Sequence, residues 1–416
     1  MHLLYNFGLV LFRVLLTIVS PFNHKAKLWI KGRQNILNQI SDSLSANEKR
    51  IWIHAASLGE FEQGRPVIEA LKKNFKEYKI VLTFFSPSGY ETRKKYEFAD
   101  YIFYLPDDTP RNAEQFIKLV QPKLVVFIKY EYWYNYLMKL KKDNIPTYMI
   151  SSIFREDQIF FKWYGKWYKQ MLEPISHFFV QNLKSKELLN KLNYQNVSIS
   201  GDTRFDRVFE VSEQNTKYPL VEKFKNGKNI LIAGSSWRPD EEILINYINS
   251  NNHDWKYIIA PHEIHEQNID RIERSVHKRV IRYSKLNKTN ADKFDILIID
   301  NVGMLSLLYK YGNLAYIGGG FSTGIHNILE AATFGMPVIF GPDYENFQEA
   351  HDLITLGGAF PVHNQTDFNN ITNQLITNNQ LIKEKGGICK TYIEKNKGAS
   401  LKIINHLLNS KYVIDT

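Results

Sequence analysis

Seven short apolar runs follow one another in the first half of the chain: IWIHAAS, KIVLTFFS, YIFYLP, KLVVFIKYE, TYMISS, HFFVQN and VSISG. Helical stretches such as 61–74 and 111–120 lie between several of them. Strand and helix patterns that alternate in this way predict a parallel, doubly wound α/β sheet. A second set begins after residue 225 with NILIAGSS, KYIIAPH, DILIID, LAYIGGG and PVIFG, again separated by helical segments. The polar stretch RVFEVSEQNTKYPLVEKFKNGK at 207–228 interrupts the pattern and places a domain junction there. The expected architecture is therefore two Rossmann-like domains facing a cleft, spanning 22–206 and 207–416 behind an apolar N-terminal segment, 1–21. With 416 residues the chain is long enough for two cores of about 200 residues each.

The N-terminal twenty residues, MHLLYNFGLVLFRVLLTIVS, are apolar apart from Arg13 and a few polar positions, and Pro21 stops them. They lack the basic start and small-residue cleavage site of a signal peptide. Lys25, Lys27, Lys31 and Arg33 follow directly, and basic residues flanking an apolar segment mark the cytoplasmic side of a membrane. Two readings stand: an uncleaved membrane anchor, which is the expectation, or a helix lying in the interface or docked on the protein. The 53 basic residues against 43 acidic ones leave a net charge of +10. Such an excess suits an anionic partner or a merely solvated basic surface. No recognised nucleic-acid module or dense basic cluster accompanies it, so nucleic acid is not expected as a partner. The single cysteine, Cys389, excludes an internal disulfide and a cysteine-rich metal site, and suits a reducing compartment. The segment FFKWYGKWYKQML at 160–172 puts Phe160, Phe161, Trp163, Tyr164, Trp167, Tyr168 and Met171 on one helical face and three lysines on the other. That face could pack in a core or meet a membrane surface.

Chemistry collects where such strands hand over to helices. Glu60 falls there, in the first turn of the helix after IWIHAAS, where the macrodipole favours an ionised acid. It is a candidate general base or an ordinary first-turn carboxylate. Glu131 follows the run KLVVFIKY, and Lys129 two residues earlier is expected on the same side, where it could tune Glu131. In the second half, IGGGFSTGIHNILEAATFGMPVIFGP reads strand, glycine-rich loop, helix, strand. Glycines admit a ligand close to the backbone and the helix start offers N–H groups to an anion. His326 and Asn327 fall at that start, and Glu330 one turn on could accept from ribose hydroxyls. The loop comes late in its domain and lacks an acidic residue about 20 positions on, which disfavours a dehydrogenase. The turns in IAGSSWRPDEE, IIAPHEIHE and IDNVGMLSLLYKYGN would converge on the same nucleotide in a doubly wound sheet.

These motifs in this order resemble the 3-deoxy-D-manno-octulosonic acid (Kdo) transferases of lipid A assembly, through HAASLGE, PDDTPRNAEQF, EYWYNYL, GDTRFD, DNVGMLSLLYKYGNLAYIGGGF and GIHNILEAATFGMPVIFGPDYENFQEA. The resemblance implies a GT-B fold and metal-independent, inverting transfer of Kdo from CMP-Kdo to a phosphorylated lipid A precursor, without a cofactor. It implies an enzyme held to the inner membrane by one N-terminal anchor, its catalytic domains cytoplasmic and in contact with anionic lipid. Carried over residue by residue, Glu60 is the base, and Glu131 and Arg204 match positions that stabilise the transition state. Pro261 and His262, Gly303, Met304 and Leu305, and Asn327, Ile328, Leu329 and Glu330 would line the CMP pocket. The sequence departs from the family in four places. Arg204 stands where the G-x-x-K-F-D motif has lysine, and Lys129 replaces the first of two paired glutamates. APHE shortens PRH, and GIHN replaces GGHN. A nucleotide-sugar 2-epimerase of the same fold has no need of the N-terminal segment. A basic membrane-surface module would leave Glu60 and the glycine loops without a role.

Overall fold

The computed structural model describes residues 1–410. It divides into two compact units, one of Met1–Arg207 joined by the chain from Lys397 onward, the other of Val208–Asn396. The first unit carries one parallel sheet of seven strands: β1 (Lys49–Ala55), β2 (Tyr78–Phe84), β3 (Tyr101–Tyr104), β4 (Pro122–Ile128), β5 (Thr147–Ser152), β6 (His177–Val180) and β7 (Val197–Ile199). Their order across the sheet is β3-β2-β1-β4-β5-β6-β7. All seven apolar runs of the first half are strands. The reason their sequence is apolar throughout is that both sheet faces are covered. Along β1, Trp52 joins the core of Phe116, Phe127 and Tyr136. Ile51, Ile53 and Ala55 join the opposite core of Phe61, Ile80 and Leu82. The helix Leu58–Asn74 lies close over the second of these cores. At Gly64 a Cβ would meet Ile128 Cδ1 at 2.0 Å and Cγ1 at 2.9 Å, so any larger residue there would have to displace that side chain.

The second unit repeats the plan with β8 (Asn229–Ser236), β9 (Trp255–Pro261), β10 (Val280–Arg282), β11 (Ile296–Ile298), β12 (Leu314–Ile317), β13 (Val338–Phe340) and β14 (Ala359–Pro361). Their order is β10-β11-β9-β8-β12-β13-β14, all parallel. The five runs read from the sequence are five of these strands. The two that the apolar pattern passes over, β10 and β14, are the three-residue edges, where little burial is needed to hold a strand.

The N-terminal segment is a helix, His2–Val19, with no fully buried residue. It lies along the first unit through polar contacts on one side. Tyr5 Oη donates to Asp108 at 2.6 Å, Arg13 pairs with Asp107 at 2.8 Å, and Phe12 meets Trp29 edge-on. Leu3, Leu4, Phe7, Leu11 and Ile18 face outward and are exposed.

Two expectations are corrected here. The segment 160–172 is not one helix: a 3-10 turn at Ile159–Phe161 is followed by a single turn, Lys166–Lys169. Gly165 packs so tightly on the Ile159 carbonyl that a Cβ would lie 1.8 Å from its oxygen, and the chain reverses there. The aromatic face is split accordingly, with Phe160 and Met171 buried and Trp163 93% exposed. The end of the chain also departs from the expected second domain. The helix Ala399–Leu408 returns to the first unit, where Ile403, Ile404 and Leu407 complete the core beneath the helix Leu58–Asn74. Asp206 fixes this return by accepting from the backbone N–H of Gly398 and of Ser400 at the helix start, where a carboxylate is electrostatically favoured. Ile403→Ala should destabilise the first unit by about 2–5 kcal/mol, the usual range for a fully buried isoleucine. Chemical denaturation followed by tryptophan fluorescence measures it, and an unchanged midpoint would show the docking to be dispensable.

Candidate active site

In each sheet the strand order reverses beside the strand that opens the unit, between β1 and β4 in the first and between β8 and β12 in the second. Loops leaving the C-terminal ends of strands at such a point diverge and leave a crevice for a ligand.

In the first unit these loops carry the expected carboxylates. Glu60 is half-buried in the first turn of Leu58–Asn74, and Ser57, the residue capping that helix, donates its hydroxyl to Glu60 Oε2. Glu131 leaves the end of β4 and is 5% exposed. Its Oε2 accepts from Trp133 Nε1 at 2.6 Å and lies 3.1 Å from His54 Nε2. Lys129 has a left-handed backbone, φ 74°, so the side-to-side alternation of the strand ends before Glu131. The Lys129 ammonium lies over the Tyr130 ring, 5.2 Å from its centroid. His54, on β1, is fully buried. Its Nδ1 lies 2.8 Å from Thr83 Oγ1 on the neighbouring β2, and that hydroxyl also accepts from Trp52 Nε1 at 2.8 Å. Three strands are thus tied to one carboxylate. The sequence signal for His54 was its place as the one polar residue within the apolar run IWIHAA.

Arg204 opens the helix Thr203–Ser212 after β7, with Nε and Nη2 at 2.8 and 2.7 Å from Asp202 Oδ2. The preceding residue, Thr203, donates its hydroxyl to the Gln63 carbonyl, which ties this loop to the helix bearing Glu60.

In the second unit, Pro261 ends β9 and is buried, while His262 beside it is exposed. Gly303 adopts φ 97° in the turn before Met304 and Leu305. Asn327 Oδ1 accepts from Leu329 N at 3.1 Å, and Asn327 Nδ2 lies 3.4 Å from Glu330 Oε1. The helix expected after the glycine loop is one turn, Leu329–Ala332, cut short by Gly335 in a left-handed conformation just before Pro337. It has no extended macrodipole to offer an anion. Ile328 and Leu329 have no exposed surface, so their side chains serve the core and only their backbone can face a ligand.

Two residues at this point were not singled out by the sequence. Trp237 follows β8, stacks on His262 at 4.4 Å and donates its indole N–H to His326 Nε2 at 3.0 Å. Asp240 is fully buried and accepts from Trp237 N at 2.9 Å, Gly319 N at 2.8 Å and Tyr316 Oη at 2.6 Å. It binds the loop after β8 to the glycine loop after β12. Burial raises the Asp240 carboxyl above its ordinary range, and the three donors work against that. Burial, with His262 alongside, lowers His326 to about 4.

Residues 31–207 match the family model described as 3-Deoxy-D-manno-octulosonic-acid transferase (kdotransferase). The 3-deoxy-D-manno-octulosonic acid transferase of Aquifex aeolicus is 28% identical over 366 residues, 85% of this chain and 94% of that one. That of Haemophilus influenzae is 27% identical over 86% of each chain. Among solved structures, UDP-GlcNAc 2-epimerase from Neisseria meningitidis aligns over 87% of this chain and all of its own, with a TM-score of 0.60 and 16% identity. Acinetobacter baumannii MurG aligns over 87% of this chain and all of its own, with a TM-score of 0.56 and 13% identity. At such identities these two structures speak for the fold alone.

Thr83→Val is nearly isosteric but leaves the Trp52 indole without an acceptor and loosens His54. It should cost about 1–3 kcal/mol, the penalty for an orphaned buried donor; equal urea midpoints for the two proteins would dissolve the network's importance. With a family match that fills most of the first unit and curated relatives aligned across both, the chain is similar to the Kdo transferases and has a GT-B-like fold.

Proposed function

We propose that the chain transfers Kdo from CMP-Kdo to a phosphorylated lipid A precursor, lipid IVA, with inversion at the sugar and with Glu60 as the general base. The observation that carries this reading is the position of Glu60: a half-buried carboxylate at the switch point of the first sheet, on the first turn of a helix and oriented by Ser57. An acceptor hydroxyl attacks the anomeric carbon of Kdo and its proton passes to Glu60. The bond from that carbon to the phosphate oxygen breaks, and CMP departs with the electron pair. Positive charge grows on the sugar ring as the bond loosens, and a carboxylate such as Glu131, held by His54 and Trp133, opposes it. Arg204, oriented by Asp202, supplies cationic charge against the departing phosphate or the acceptor phosphates. The nucleotide occupies the switch point of the second sheet, with Pro261, His262, Gly303 to Leu305 and Asn327 around it and Glu330 accepting from ribose hydroxyls. Incubation with CMP-Kdo and lipid IVA, with products weighed by mass spectrometry, tests the reading. An epimerised sugar nucleotide without Kdo transfer would replace it.

Glu60→Gln should leave the protein folded and still able to bind CMP, but slow turnover by about 10²–10⁴, the share typical of a general base. Near-normal turnover in this variant would remove Glu60 from that role.

The outward side of the helix His2–Val19 suits the cytoplasmic face of the inner membrane. Leu4, Phe7 and Leu11 are about half or more exposed there, and the basic residues Lys25, Lys27 and Lys31 follow closely in sequence, matching an anionic lipid surface. Polar contacts at Tyr5 and at Arg13 fix the other side to the first unit, so the helix lies along the protein rather than leaving it end-on. Replacing Leu4, Phe7 and Leu11 together with glutamine removes apolar surface without touching those contacts. Binding to vesicles containing anionic lipid should weaken by more than about tenfold; flotation that is unaltered would place the membrane contact elsewhere.

A further inference from the structure

The indole of Trp237 determines the chemistry of His326. An indole N–H can only donate, and it points at His326 Nε2 from 3.0 Å. That nitrogen must therefore present a lone pair, and the proton of the neutral ring resides on Nδ1. Among the described residues Nδ1 has no hydrogen-bond partner. His326 itself is half-buried, just after the glycine loop at the end of β12. The ring is clamped in place: its backbone N–H donates to the Gly318 carbonyl at 3.0 Å. His262 stacks against it with centroids 4.8 Å apart and planes 24° apart. His262 is the titratable group stacked on it, and across the glycine loop lies Asp240, whose carboxylate is engaged by Trp237 N, Gly319 N and Tyr316 Oη.

We infer that Trp237 is a positioning residue of the nucleotide site, holding His326 as a neutral ring whose Nδ1–H donates to an acceptor oxygen of the bound nucleotide. The inference rests on the proposed binding of a cytidine nucleotide at this switch point. The lowered value of about 4 for His326 agrees with a ring that stays neutral through the physiological range. A protonated ring would lose the indole bond and place a cation beside His262.

Two measurements on the full chain test this. Long-range nitrogen–proton NMR of histidine-labelled protein, without nucleotide at about pH 8, reads the tautomer directly. Wild type should show the Nδ1–H form at His326. Trp237→Phe, which keeps an aromatic ring against His262, should show a mixture of tautomers and a higher titration midpoint. Finding the Nε2–H form in wild type overturns the inference. The second measurement is calorimetric titration with CMP. His326→Asn puts an amide N–H where Nδ1 stood, whereas His326→Gln puts it where Nε2 stood. Asn should retain the wild-type Kd within about threefold, while Gln and Trp237→Phe should each weaken it by about 3–10-fold, the effect of one hydrogen bond. Were Trp237→Phe unable to fold, the Asn and Gln pair would still decide. CMP binding by wild type that ignores both His326→Gln and Trp237→Phe overturns the role given to Nδ1. A wild-type protein that does not bind CMP at all overturns the nucleotide reading, and the role of Nδ1 with it.

Discussion

A parallel sheet covered on both faces has no free surface along its strands, and that constraint shapes everything functional in this chain. Trp52 and Phe127 point into one core of the first unit, Ile53 and Val126 into the other, so no side chain in the middle of β1 or β4 is available to a substrate. Polar chemistry is driven to the strand ends, and among the ends the switch point alone has loops that part in opposite directions. The same reasoning applies twice, because the second unit has its own reversal between β8 and β12. Glu60 and Glu131 flank the first reversal; Trp237 and the glycine loop flank the second.

Loops that part need something to hold them, and buried acids do so here. Asp240 joins the two loops of the second switch point through three neutral donors. Asp108 accepts from the backbone N–H of Asn135 and Tyr136 and from the Tyr5 hydroxyl, so one carboxylate secures the start of the helix Tyr134–Lys142 and the N-terminal helix. Burial lifts it to about 6. Asp206 does the same for the returning C-terminal helix. A carboxylate has room for several donors in fixed directions, whereas a buried cation would need counter-charge. The cost of burying the charge is spread over bonds that would otherwise be orphan backbone N–H groups.

The parts of this architecture legible in the sequence are those that bury much apolar surface in a continuous run. All seven strands of the first sheet and the five inner strands of the second announce themselves in that way. β10 and β14, three-residue edges, do not; β7 is an equally short edge, but its VSISG run stands out. The segment 160–172 has helical spacing of aromatics but a glycine whose missing Cβ admits a reversal, and spacing cannot reveal a close backbone approach. The C-terminal helix has an ordinary amphipathic pattern, and nothing local says which core it completes. At the site, Glu60, Glu131 and His262 were readable from their positions after apolar runs. Asp240 was hidden as one of several acids in RPDEE, since its partners Gly319 and Tyr316 are nearly eighty residues away.

A net charge of +10 invites the expectation of a cationic cradle for phosphate, but the second switch point is built otherwise. Many basic groups of that unit are already spoken for: Arg271 pairs with Glu241, Arg282 with Glu266, Asp270 and Glu273, and Arg279 with Asp295. What the crevice offers instead is glycine backbone, an indole and a histidine kept neutral. Neutral donors bind an oxygen with about half the strength of charged ones and lose little of it to salt. A cation fixed at this point would hold a dianionic phosphate more tightly than a monoanionic one, whereas neutral donors discriminate less between the two.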